Sequence, residues 1–159
     1  MAAPEHTSQS GVVTDIGGLP ALAGTELGQT EWAEMTQAQV NAFADATGDH
    51  NFIHVDVERA RATPFGGTIA HGFLTLSLLA PVTQQLLEVS DANVKINYGL
   101  DRARFPAPLA VGKRFRVSAK LAEVTELEGG VQAKVVATVE VEGSGKPALV
   151  AELLLRFYA

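Results

Sequence analysis

The sequence predicts an α+β fold: an antiparallel sheet wrapped around one buried helix. Three observations carry that expectation. The second half of the chain alternates apolar and polar residues with period two over several long runs. The middle holds one stretch, "GTIAHGFLTLSLLAPV", that is apolar on nearly every side. The first half carries helix signals with an identifiable start and stop.

The elements follow in chain order. Residues 1–24 are rich in Gly, Pro, Ser and Ala without periodicity and read as a flexible N-terminal arm. Residues 25–159 read as one domain, a length sufficient for a single core. "QTEWAEM" (Gln29–Met35) alternates weakly and is expected as a first strand. Thr36 followed three residues later by Gln39 forms a capping box, and Gly48 stands where a helix stop is needed. Between them Val40, Phe43, Ala44 and Thr47 share one face. Asp56 is placed to cap a short helix that "TPFGG" breaks. His71–Val89 is the expected central helix, with a local conflict at Pro81. A strand is expected over Val94–Phe105. Three more place Phe115–Leu121, Val131–Val141 and Leu149–Phe157 on one face each, with "EGG" and "GSGKP" as the turns between them.

Composition narrows the function classes. The net charge is −6, which argues against nucleic acid as a partner. The charge is uneven: nine acidic residues and no Lys or Arg precede Arg59, while seven of the twelve basic residues lie in 95–120. There is no cysteine, so disulfides, thiolate zinc sites and a cysteine nucleophile are excluded. The N-terminus lacks the basic and apolar regions of a signal peptide, and the apolar stretch is short for a membrane span. The expectation is a cytoplasmic protein with no membrane attachment. "GVVTDIGG" lacks the spacing of a phosphate loop.

"TGDHNFIHVD" (Thr47–Asp56) concentrates the chemistry. It is open to three readings: a capped, solvated turn, a metal site, or an acid–base pair. The spacing is not the i, i+4 pattern that puts two metal ligands on one helical face, so no metal is expected. A carboxylate at Asp49 and an imidazole at His54, brought together by a tight loop, can hold and deprotonate a water. Asn51 between them can brace the loop or a ligand. Gly72, at the start of the apolar helix, offers a free backbone N–H to a developing oxyanion. His71 beside it is a structural hydrogen-bonder or a substrate-binding residue.

With these residues in view, "FADATGDHNFIHVDVERARATPFGGTIAHGFLTLSLL" (residues 43–79) resembles the MaoC-like, R-specific enoyl-CoA hydratases with the hot-dog fold. It is nearest in flavour to their nodulation-protein-N-like branch. The resemblance extends through "NYGLDRARFPAPLAVGKRFRV" and covers about residues 25–158. It implies a five-stranded sheet around a long helix, paired as a homodimer or larger homo-oligomer. It implies (R)-specific hydration of a trans-2-enoyl-CoA, with Asp49 and His54 acting on water and Gly72 holding the thioester oxygen. It implies no cofactor beyond the coenzyme A that carries the substrate. His54 is then the preferred base and Asp49 the proton donor, with the reverse division open. Phe52 stands where many members have Pro. Phe52, Phe65, Phe73, Leu74 and Leu76 are candidates for the acyl pocket; Lys95, Arg102 and Arg104 are candidates for the phosphates. A non-catalytic acyl-thioester binder and a thioesterase remain as alternatives. His50 has no role in this reading.

Overall fold

The computed structural model describes residues 11–159. Part of the expected arm therefore lies outside the described residues. The rest corrects the expectation. Strand β1 (Val12–Thr14) pairs in parallel with β4 (Leu87–Val89), and a 3₁₀ turn at Leu19–Leu22 fully buries Leu19. From residue 12 onward the segment packs as part of the domain.

The expected first strand divides in two, β2 (Glu26–Gln29) and β3 (Ala33–Glu34). Both pair with the same edge of β6 (Arg114–Leu127). Helix α1 (Gln37–Thr47) starts at the Thr36/Gln39 capping box and stops at Gly48, whose φ of 82° is left-handed. Glycine adopts that conformation without penalty. Val40 and Ala44 are buried, but Thr47 is exposed and its hydroxyl donates to the Phe43 carbonyl at 2.8 Å. Two short helices follow, α2 (Phe52–Val55) and α3 (Val57–Arg61), the second capped by Asp56.

The central helix is broken into α4 (Gly72–Ser77) and α5 (Leu79–Leu86). Pro81 has no N–H to offer the Ser77 carbonyl, and its ring crowds that carbonyl, so the ladder yields at Leu78. The helix also ends three residues earlier than expected. Leu87–Val89 is drawn out as β4, because β1 supplies a pairing partner.

The sheet runs β2-β6-β7-β8-β5, with β3 extending the β2 edge. Six strands thus fill five positions, all antiparallel. In β7 (Gly130–Val141) and β8 (Leu149–Tyr158) burial alternates residue by residue, as the period-two pattern predicts. The inward residues meet Leu74, Leu79, Val82 and Leu86 of the split helix in one core. Each fully buried Leu there contributes about 1.5–3 kcal/mol of transfer free energy. Strand β5 (Val94–Arg104) is the opposite edge, eleven residues long and almost wholly exposed.

Candidate active site

The site forms where α1 ends, α2 begins and α4 begins. The left-handed turn at Gly48 releases the chain from α1, and the next residues fold into a tight loop. Asn51 closes it: its side chain accepts from the Ile53 N–H at 3.4 Å, and its carbonyl accepts from the His54 N–H at 2.9 Å. The Asn51 N–H in turn donates to Asp49 Oδ1 at 3.3 Å. Asn51 is a brace of the loop.

His54 is 8% exposed and held from two sides. Its Nδ1 lies 2.8 Å from the Ile69 carbonyl. A carbonyl only accepts, so Nδ1 carries the proton and Nε2 of the neutral ring keeps its lone pair. Its backbone carbonyl accepts from Gln37 Nε2 at 2.7 Å, and Gln37 Oε1 accepts from the Thr68 hydroxyl at 2.6 Å. Gln37 was not singled out from the sequence. It sits just inside α1, and no periodicity marks it.

One carboxylate oxygen of Asp49 and one ring nitrogen each of His54 and His71 lie within 4.8 Å of one another. Asp49 is exposed while both histidines are buried. This trio has the residue types of a metal site, but its ring orientation is unsuitable. The two imidazoles stack at 3.8 Å with only 27° between their planes. Ring lone pairs lie in the ring plane, so nearly parallel rings do not converge on one ion.

His54 and Gly72 face a cavity of about 300 Å³, also lined by Phe65, Thr75, Phe105 and Pro108. Gly72 is the first residue of α4, and its N–H has no acceptor among the described residues. Phe105 lies directly over it: a Cβ at Gly72 would stand 3.3 Å from the Phe105 ring. Phe105 was not named among the pocket candidates, although it opens the Pro-rich bend that lines the cavity.

The remaining candidates scatter. Phe65 lines the cavity. Phe52 does not. Its ring carries the Arg59 guanidinium at 4.2 Å, a cation–π contact beside the loop. Phe73 points outward, 72% exposed, and Leu74 is core. Leu76 lines a separate apolar cavity of about 200 Å³ with Leu79, Leu100 and Leu153. Arg102 and Arg104 lie at the end of β5 that leads into Phe105. Lys95 lies at the other end, about 30 Å away at strand rise, against Thr83 and Phe157. It is too distant to share a ligand phosphate contact with the cavity mouth. His71, a candidate for touching substrate, is instead 2% exposed and bonds the protein backbone. His50 pairs with Asp45 at 2.9 Å, and that bond raises its pKa above the usual histidine value. It faces solvent.

Residues 19–143 match the model of the MaoC like domain. The chain belongs to the MaoC-like dehydratase family. Its expected class, a hydro-lyase, stands with that membership. The chain is 54% identical over 145 residues to 3-hydroxyacyl-thioester dehydratase Z of Mycobacterium tuberculosis, covering 91% of this chain and 96% of that one. It is 44% identical over 137 residues to nodulation protein N of Rhizobium leguminosarum bv. viciae, covering 84% of each. Among solved structures it is similar to the (R)-hydratase from A. caviae involved in PHA biosynthesis, with a TM-score of 0.66 at 27% identity over 84% of this chain and 94% of that one. The hot-dog fold expected from the sequence is the fold of this family. Among the described residues no helix is long and apolar enough to cross a membrane.

Proposed function

We propose that this MaoC-like protein catalyses the reversible, (R)-specific hydration of trans-2-enoyl thioesters to 3-hydroxyacyl thioesters, with coenzyme A as the carrier. The observation that carries this reading is the state of His54. The Ile69 carbonyl fixes its tautomer and leaves Nε2 bare, a ring nitrogen of His54 lies within 4.8 Å of an Asp49 carboxyl oxygen, and His54 shares a cavity with the free Gly72 N–H.

The chemistry follows from that arrangement. Water adds through its oxygen to C3 of the enoyl group as His54 Nε2 removes its proton. The electron pair of the double bond moves to the thioester oxygen, and the Gly72 N–H stabilises the resulting enolate. A proton is delivered to C2 through the Asp49 carboxyl group, and the enolate collapses to the saturated thioester. One proton leaves water and one reaches carbon, so proton passage from His54 to Asp49 resets the pair. Addition of water requires no external electron acceptor, so the reaction as read calls for no redox cofactor. The name of the mycobacterial relative supports the same substrate class, and that of the A. caviae (R)-hydratase supports the reaction type and its (R) specificity. The absence of cysteine accords with a cytoplasmic setting.

The test is direct. Purified protein should deplete the enoyl absorbance of crotonyl-CoA or a longer homologue and yield the (R)-3-hydroxyacyl product. Acyl-CoA binding without turnover would mark a binder, and release of free thiol would mark a thioesterase. Either result would replace the present reading.

We also propose that the working form is a dimer formed along β5. An exposed edge strand of this length is a template for pairing with another chain. Val94, Ile96, Tyr98 and Leu100 are each 43–54% exposed on it, an apolar row that a second copy would cover. In sedimentation the wild type should run at twice the 16.7 kDa chain mass. Ile96→Asp combined with Leu100→Asp should shift it to the monomer. A monomeric wild type at micromolar concentration would dispose of the pairing.

A further inference from the structure

His71 is placed unlike any other residue of the site. It is buried between two rings, Phe43 of α1 at 4.9 Å and His54 of α2 at 3.8 Å. Its Nε2 lies 2.9 Å from the backbone carbonyl of Asp49, 22 residues earlier in the chain. The carbonyl accepts, so His71 donates through Nε2 and its Nδ1 is bare. That Nδ1 is buried and has no partner. Its backbone is used as well. His71 is the N-cap of α4, its carbonyl accepts from the Thr75 N–H at 3.1 Å, and the next residue is Gly72.

One side chain and its own backbone thus touch the carrier of the carboxyl group, the face of the base, and the start of the helix that presents the oxyanion donor. Asp49 needs such a tether. It is exposed, on a loop, and among the described residues its own carboxyl group is held only by the Asn51 N–H. The other bonds at Asp49, its N–H to the Thr47 hydroxyl at 3.4 Å and its carboxyl group to the Asn51 N–H, stay within the loop, whereas the His71 bond ties it to the start of α4. His71 is 2% exposed, so unlike the exposed Asp49 it has no open surface to offer a substrate. We infer that His71 is a positioning residue: it sets the Asp49–His54–Gly72 geometry through a buried Nε2–H bond to the Asp49 carbonyl and a stack on the His54 ring. The inference rests on the hydration reading for its kinetic consequence, and on geometry alone for the bond.

Three variants separate the contributions. His71→Phe keeps a stacked ring and removes the donor. His71→Gln places an amide donor near the Nε2 position and removes the ring. Asp49→Asn removes the group being positioned. On crotonyl-CoA, His71→Phe should lower kcat by about 10²-fold, as expected for misplaced reacting groups, with KM unchanged because substrate does not touch His71. His71→Gln should recover at least about tenfold of that loss. In an Asp49→Asn background, His71→Phe should produce no further loss. A purely structural residue would instead lower the residual activity again, raise KM, or fail alike as Phe and as Gln. Any of these overturns the inference.

A readout independent of turnover completes the test. Nitrogen-15 correlation spectra of the wild-type imidazoles should show His71 protonated at Nε2, with that proton slow to exchange. A rapidly exchanging or Nδ1-protonated His71 overturns the inference even if no variant folds. A protected Nε2–H in a protein without hydratase activity would overturn the enzymatic reading and leave the bond standing.

Discussion

Asp49→Asn and His54→Asn should each lower kcat/KM for enoyl-thioester hydration by about 10²–10⁴, the range expected when a positioned acid or base is removed. The two substitutions reach this by different routes. Asn at position 49 keeps the size of the side chain and can still accept from the Asn51 N–H, but it has no carboxyl proton to give or receive. Asn at position 54 keeps a donor near Nδ1 for the Ile69 carbonyl and lacks the Nε2 lone pair. His54→Ala is the cruder variant. It leaves the Ile69 carbonyl without its side-chain donor in a buried place, so it should also lower the melting midpoint. The double variant should lose far less than the product of the single losses, because acid and base act on one proton circuit. Initial rates on a purified enoyl-CoA, with melting curves to confirm folding, check all of this. Activity within tenfold of wild type in either Asn variant would remove that residue from the chemistry.

Much of this site is legible in the sequence because it is local. The capping box at Thr36 and Gln39, the stop at Gly48 and the cap at Asp56 each involve residues a few positions apart, so their geometry is settled by short-range rules. The alternation in β7 and β8 is equally plain, since one sheet face is buried along the full strand. What escapes the sequence depends on distant backbone. Leu87–Val89 becomes a strand only because Val12–Thr14 arrives beside it. The tautomer of His54 is set by the carbonyl of Ile69, an atom every residue possesses. Gln37 acts through the carbonyl of His54, and His71 through that of Asp49, so neither role has a motif. Phe52 is a related case. Its departure from the commoner Pro suggested a residue that lines the acyl pocket or packs on a partner subunit, yet within the chain its ring meets Arg59, seven positions on, across the junction of α2 and α3. Side chains that bond backbone a few residues away leave patterns; side chains that bond distant backbone leave almost none.

The oxyanion donor can be tested with a pair of substitutions that both add a Cβ, one keeping the backbone N–H and one closing a ring on that nitrogen. Gly72→Ala keeps the backbone N–H; Gly72→Pro deletes it. Proline is well tolerated at the first position of a helix, where the N–H has no intrahelical partner. The preceding residue also suits it. His71 has φ −59° and ψ 140°, the extended conformation that a following proline favours. Both new side chains meet Phe105 at about the same distance, 3.3–3.4 Å from the added Cβ. The contact with Phe105, which is 45% exposed, is therefore common to both variants, while proline alone adds Cγ and Cδ, with Cδ in place of the N–H hydrogen. Gly72→Ala should therefore retain activity within about tenfold of wild type. Gly72→Pro should fall a further 10²–10³-fold or so in kcat, the loss seen when one oxyanion-hole donor is removed. The difference between the two reports the loss of the N–H together with the ring carbon that replaces it. Equal activity in Ala and Pro would show that the enolate oxygen is held elsewhere, and that the role of Gly72 is only to leave room beneath Phe105.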